Sequence, residues 1–246
     1  MLIGLFADLH GNREALSACL AHAKDCGVGR YVFLGDYVGY GADPGWVVDK
    51  VISYVQRGAV ALMGNHDRAV FSDSEQMNPS AQAAIEWTRK QLDNRQCEFL
   101  RALPLIIEEE RRLFVHASAN GPLNWHYVLD AHAASESLMA TACAQTFCGH
   151  VHVPAMYHLS SVGKVGHFIP TAGVNVPLSV RLKWLAVIGS VGQPRDHNPA
   201  ACYALLDDTA NLLTYVRIPY DVETAARKVR DAGLPLVLGI RLERGY

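Results

Sequence analysis

The chain has 246 residues, 50% of them apolar, a length that still suits one α/β domain with a sizeable core, so a single domain over residues 1–246 is expected. Lys and Arg number 22 against 24 acids, a net charge of −2, which excludes the one-signed field that holds a polyanion such as duplex DNA, and no strong nucleic-acid binding is expected. Six cysteines at irregular spacings without a C-x-x-C pair predict reduced, mostly buried thiols, and the lack of a basic leader or of about 18 unbroken apolar residues predicts a soluble cytoplasmic protein with no membrane partner.

Short apolar runs alternate with helical patterns through the first two thirds of the chain. "LIGLFAD" (2–8) reads as a strand apolar on both faces, as in a parallel sheet covered on both sides. In "NREALSACLAHAKDCG" Leu16, Cys19, Leu20 and Ala23 recur at i, i+3, i+4 and i+7, with Asn12 able to cap the start and Gly27 the end of a helix. The strand "RYVFLGD" (30–36) follows, then a helix in "DPGWVVDKVISYVQRG", capped by Asp43 and stopped at Gly58. "AVALMGN" (59–65) is a third strand, so right-handed crossovers are expected. Residues 80–103 read as one helix closed by Pro104, and "EEERR" (108–112) as a solvated turn before the strand "RLFVHAS" (112–118). An Ala-rich helix (132–144) precedes the strand "QTFCGH" (145–150).

Beyond residue 150 the runs "HFIPTAGV", "WLAVIGSVG", "ACYALLDD" and "LLTYVRIPY" are strand-like and broken by Gly, Pro, Asn and Asp, which predicts a second, largely antiparallel sheet. A helix is expected over 221–233, and "LPLVLGI" (234–240) reads as a last strand-like run whose edge can pair with another chain. The oligomeric state is not legible from the sequence.

The strands of the first part end in groups that bind hard or borderline metals: Asp8 and His10, Asp36, Asn65 and His66, His116, then His150 and His152. In an α/β sheet the carboxyl ends of parallel strands share one edge, so these residues are expected to converge there. The donors are carboxylate, amide oxygen and imidazole without thiolate, a mix that suits Mn²⁺, with Fe or Zn²⁺ as alternatives. These groups exceed what one ion needs; two divalent ions sharing Asp36 would use them. Such a centre attracts phosphate and lowers the pKa of a bound water from about 15.7 toward about 7.

The ordered blocks D-x-H (Asp8, His10), G-D (Gly35, Asp36), G-N-H-D (Gly64 to Asp67), a lone strand-end His116 and G-H-x-H (Gly149 to His152) resemble the calcineurin-like metallophosphoesterase superfamily. The resemblance implies a four-layer αββα sandwich of two mixed β-sheets flanked by helices, with a dinuclear site at its rim. It implies that Asp8, His10 and His152 hold one metal and Asn65, His116 and His150 the other, with Asp36 bridging. His66 would contact the scissile phosphate and protonate the leaving oxygen, with Asp67 orienting it. "DLHGN", "GDYVGYGADP" and "GSVGQPRD" are similar to the small bacterial and archaeal phosphodiesterase branch, some of whose members act on dinucleoside polyphosphates. Where relatives carry His-Gly-Ser, this chain has His116, Ala117, Ser118. The function expected is metal-dependent hydrolysis of small phosphate esters, diester or nucleotide-type, against the alternatives of a phosphomonoesterase or a non-catalytic scaffold that kept the fold.

Outside these blocks, Asn12 is expected to cap its helix and also to face substrate phosphate. Arg195 reads equally as a surface partner of Asp196 or as a phosphate clamp. Tyr37 and Tyr40 lie where a nucleobase or aryl group would stack, and His126, between Trp125 and Tyr127, sits in a loop that either contacts substrate or packs as a lid.

Overall fold

In the computed structural model, which describes residues 1–73, 75 and 77–246, the opening apolar run becomes strand β1, Leu2–Phe6. Helix α1 (Arg13–Asp25) leads to β2 (Arg30–Phe33), and α2 (Pro44–Val55) to β3 (Val60–Ala61). Ile3 and Leu5 point to one side of β1 and Phe6 to the other; all are fully buried, which is why the run carries no polar face. The short α3 (Asn65–Ala69) starts directly after β3. The stretch expected as one helix is two, α4 (Pro79–Arg89) and α5 (Asn94–Ala102). The break is a capping box: the Asp93 carboxylate accepts the Gln96 N–H at 2.8 Å and the Gln96 side chain accepts the Asp93 N–H at 3.0 Å.

A hairpin of β4 (Ile106–Glu109) and β5 (Arg112–Val115) takes up the "EEERR" run, which is therefore strand as well as turn; Glu110 makes the reversal with φ 50°. Helix α6 (Ala131–Met139) and β6 (Gln145–Cys148) follow, then β7 (Ala155–Leu159), β8 (Val165–Phe168), β9 (Asn175–Pro177), β10 (Lys183–Val187), β11 (Ala201–Asp207) and β12 (Leu212–Ile218). The chain ends in α7 (Val222–Asp231) and α8 (Leu236–Arg244).

Two six-stranded mixed sheets result, ordered β3-β2-β1-β11-β12-β9 and β4-β5-β6-β10-β7-β8. The late strands thus do not form a sheet of their own. β9, β11 and β12 complete the first sheet through the antiparallel pair β1–β11, and β7, β8 and β10 complete the second through the parallel pair β10–β6. Ile3, Leu5, Phe114, Phe147, Met156 and Cys202 pack between the sheets. The outer face of the first sheet packs on α1 and α2 through Phe6, Phe33, Leu16, Val47 and Val51, and that of the second on α6 through Leu113, Tyr157, Ala134 and Leu138. This is the αββα sandwich that the sequence blocks imply.

The run 234–240 enters a helix rather than a strand, because Leu238 and Leu242, four apart, bury one face against Ala225, Ala226 and Val229 of α7. No sheet edge is formed there, and the expectation of edge pairing falls with it. The cysteines carry no disulfide; Cys19, Cys143, Cys148 and Cys202 are buried, and Cys26 is exposed. Among the described residues no helix is long and apolar enough to cross a membrane.

Candidate metal centre

Strands β1, β2 and β3 run parallel in one sheet, and β5 and β6 run parallel in the other, so their carboxyl ends share a rim. Backbone hydrogen bonds stitch the loops at that rim: Asp8 N–H to Gly35 O at 3.1 Å, His10 N–H to Asp36 O at 2.9 Å and Gly149 N–H to His116 O at 2.9 Å. The two sheets are joined where the His150 N–H donates to the Asp8 carboxylate at 2.9 and 3.1 Å.

Seven donors expected from the sequence gather here. Ligand atoms of Asp8, His10, Asp36 and His152 lie within 4.8 Å of one another, as do those of Asp36, His116 and His150. Asp36 alone belongs to both groups. The Asn65 Oδ1 stands 3.2 Å from His116 Nε2 and joins the second. Five of the seven, Asp8, His10, Asp36, His150 and His152, have left-handed backbone with φ between 45° and 67°, a conformation that costs non-glycine residues energy and concentrates at functional sites. Gly64 permits the closest approach, since a Cβ there would stand 2.1 Å from the Asp36 Oδ1.

Whether these residues suit a cation is decided by their lone pairs. Nδ1–H of His10 donates to Val38 O at 2.9 Å, that of His116 to Leu34 O at 2.8 Å and that of His152 to Gln193 O at 2.7 Å. Each ring is thereby fixed with Nε2 turned inward. The Nε2 atoms of His10 and His152 then face each other at 3.1 Å, and burial holds both rings well below their ordinary pKa, so neither carries a proton to share. Two bare lone pairs at that distance repel, and a divalent cation between them turns the repulsion into two bonds. His116 behaves differently among protein groups alone: burial opposes its charge, but Asp36, with Oδ2 at 3.4 Å, outweighs it and pushes the imidazole up to about 9. Burial pushes Asp8 up to about 8. The donor set is oxygen and imidazole without thiolate and fits hard or borderline divalent ions.

Cation binding to the native state alone should therefore stabilise the fold. With Mn²⁺ at about 100 times its dissociation constant, the gain of about 2.7 kcal/mol predicts a thermal midpoint about 5–10 °C above that in chelator. Scanning calorimetry checks this, and equal midpoints would contradict the site.

Around the donors the structure corrects several expectations. His66 lies in the first turn of α3, its ring tilted 4.5 Å from Tyr40 and edge-on 4.8 Å from His10, with Nδ1 buried and without a hydrogen-bond partner among the described residues. Burial lowers its pKa to about 4 among protein groups alone, not the unperturbed 6.5 that its acid role would draw on. Gly39, at φ +80°, leaves room for that ring: a Cβ would stand 2.3 Å from His66 Nδ1. Asp67 does not reach the His66 ring. Its carboxylate accepts three backbone N–H groups, from Asp36 and Tyr37 at 2.8 Å and Gly64 at 2.9 Å, and so clamps two rim loops together.

Asn12 caps α1 through Oδ1, which accepts Ala15 N–H at 3.0 Å, and its Nδ2 donates to Gly192 O at 2.9 Å and Tyr220 Oη at 3.2 Å. Both ends of the amide are engaged within the protein, so Asn12 has an architectural role. Tyr37 is fully buried, its hydroxyl donating to Leu62 O at 2.6 Å, which rules out stacking on substrate. Asp196 pairs with Arg217 and not with Arg195. Arg195 instead lies over the Tyr40 ring, 5.5 Å from its centroid, held by Gln193 Oε1 at 3.0 Å. His126 is exposed, and its neighbours make the ring contacts: Trp125 meets His116 edge-on at 5.8 Å and Tyr127 stacks on His150 at 4.1 Å. Among the site residues, Tyr127 and the "GSVGQPRD" turn carry tasks that spacing does not disclose. Ser190 Oγ and Gly192 N–H both donate to Asp8 O at 2.8 Å, and Gln193 O holds His152.

Residues 1–211 match the calcineurin-like phosphoesterase superfamily domain. The chain is similar, at 33% identity over 99% of its length and 98% of the relative's, to an uncharacterized protein of Methanocaldococcus jannaschii. The crystal structure of a metallophosphoesterase from Sphaerobacter thermophilus superposes with a TM-score of 0.89 at 32% identity, covering 100% of this chain and 99% of that one. A hypothetical protein of Pyrococcus horikoshii shares the fold at TM-score 0.78 and 18% identity, over 100% and 98% of the two chains. The chain belongs to the calcineurin-like phosphoesterase superfamily. It is, by class, a metal-dependent phosphoesterase.

Proposed function

We propose that this protein hydrolyses small phosphate esters, diesters or nucleotide-type substrates, at a two-cation centre carried by one domain over residues 1–246. One observation carries the reading: Asp36 is shared by two buried donor groups, each with enough ligand atoms to hold an ion of its own. Asp8, His10, Asp36 and His152 would hold the first ion, and Asn65, His116, His150 and the same Asp36 the second, with Mn²⁺ favoured by a set of oxygen and imidazole donors that lacks thiolate. Bound there, the pair supplies Lewis-acid charge for the phosphoryl oxygens and a water acidic enough to act as nucleophile near neutrality.

The chain's own residues do the rest. His66, packed between His10 and Tyr40, contacts the phosphoryl group, whose negative charge would offset the burial that lowers the ring's pKa in the free site, and gives a proton from its ring to the departing oxygen. Tyr40 and Gly39 fix the ring plane, and the Asp67 clamp fixes the loops on which Asp36 and His66 ride. Arg195, free of Asp196, offers its guanidinium to a phosphate oxygen from the far side of Tyr40. Unpaired cysteines fit work in a reducing compartment such as the cytoplasm.

The deciding experiment is hydrolysis of bis(p-nitrophenyl) phosphate after exhaustive chelation and again after Mn²⁺ is returned. Activity should vanish and then recover; turnover that survives chelation rejects the proposal. Arg195→Ala should raise KM about tenfold with kcat changed less than threefold, as for a lost contact worth about 1.4 kcal/mol in ground and transition state alike. An unchanged KM would remove Arg195 from the site.

A further inference from the structure

We propose that Tyr127 is the platform on which the organic part of the substrate stacks, so that the site selects phosphate esters carrying a planar ring close to the phosphoryl group, as nucleotides do. This rests on the phosphoesterase reading above and assigns it a specificity residue. Tyr127 lies flat against His150, ring centroids 4.1 Å apart and planes 18° from parallel, yet 50% of its surface is exposed. His150 covers one face, so the other is the face available to a ligand beside the centre. Structural aromatics in this molecule look different: Tyr37, Tyr157, Tyr203 and Tyr215 are almost completely buried.

The surroundings fit a planar, anionic ligand. Tyr127 stacks on one proposed ligand, His150, while Tyr40 packs on His10 and His66 and Arg195 lies over Tyr40, so the ring stands beside the centre and not on a remote surface. Arg195 comes from the turn after β10, Tyr40 from the loop after β2 and Tyr127 from the loop after β5; three separate loops flank the donors. The Tyr127 loop is also built with care. Gly121 and Trp125 are both left-handed, at φ 68° and 52°, an uncommon state for a tryptophan, and Trp125 is tied by its Nε1–H to Glu75 Oε2 at 2.6 Å. Trp125 meets His116 on its inner side, which leaves Tyr127, two residues on, at the outer side over His150. A ring stacked on its open face would lie one stacking layer beyond Tyr127, within the span of a nucleoside monophosphate whose phosphoryl group sits at the donors.

Binding of adenosine 5′-monophosphate and of ribose 5-phosphate to the Mn²⁺-loaded protein, read by calorimetry, tests this without requiring turnover. The ring-bearing ligand should bind at least fivefold more tightly, in line with roughly five- to a hundredfold for base–aromatic stacking. Tyr127→Phe should keep the preference. Tyr127→Leu, which still covers His150 with an apolar side chain, should abolish it while metal content per chain stays at the wild-type value. Equal affinities for the two ligands in the wild-type protein overturn the proposal, as does a preference that survives in Tyr127→Leu. Loss of metal in Tyr127→Leu together with an equal weakening of both ligands also overturns it, because the ring would then only brace His150. Since binding is measured, a protein that binds both ligands but hydrolyses no ester rejects the phosphoesterase reading and not this one.

Discussion

Replacing Asp36 by asparagine is expected to lower kcat/KM by about three orders of magnitude or more and to take metal content below two ions per chain. The carboxylate is common to both donor groups, so its charge is lost from two sites at once. Lewis-acid stabilisation is worth several kcal/mol, and each 1.36 kcal/mol is a factor of ten. Asparagine keeps an oxygen at the position that accepts the His66 N–H at 2.9 Å, so α3 should start as before and the variant should fold. Elemental analysis with steady-state kinetics checks the outcome. A variant that keeps two ions and activity within tenfold of wild type would show that Asp36 does not bridge.

His66→Gln should separate chemistry from metal binding. The His66 ring belongs to neither donor group, and its backbone N–H, which Asp36 holds, is unchanged by the substitution. Two ions per chain should therefore remain while kcat falls about 10²-fold, the usual size of a lost general acid. The deficit should shrink for esters whose leaving group is already a weak base, such as p-nitrophenolate, because such a group departs without a proton. A uniform loss across leaving groups would assign His66 to phosphate contact alone, and full activity would remove it from the mechanism.

What the sequence discloses here is set by how local each signal is. The donor residues are legible because each sits at the end of its own apolar run, and parallel strands carry their carboxyl ends to one rim regardless of detail. Strand partnership is not legible: nothing in "ACYALLDD" says that it will pair with β1 as well as with its late neighbour β12, since pairing across about 200 residues leaves no trace in periodicity. "LPLVLGI" is apolar at helical and strand spacing alike, and only packing against α7 decides for helix. The break in 80–103 did carry a local signal, Asp93 three residues before Gln96. Arg195 and Asp196 adjoin in sequence but separate in space, with Asp196 taken by Arg217, so adjacency misled. Of the two roles that the sequence offers Asn12, the structure displays the helix cap. Tyr127 has no fixed spacing to any motif, and its stacking on His150 emerges only from the loop's path.

The late position of β11 and of the Ser190–Gln193 turn bears on how the protein is made. A nascent chain that has left the ribosome as far as His152 already holds every proposed ligand, yet the carbonyl that orients His152 belongs to Gln193, and the strand that flanks β1 begins at Ala201. Because translation delivers residues from the amino end and ion capture is coupled to the folded geometry, a fragment ending before Gln193 would carry the proposed ligands without the carbonyl that holds His152 or the late strand beside β1.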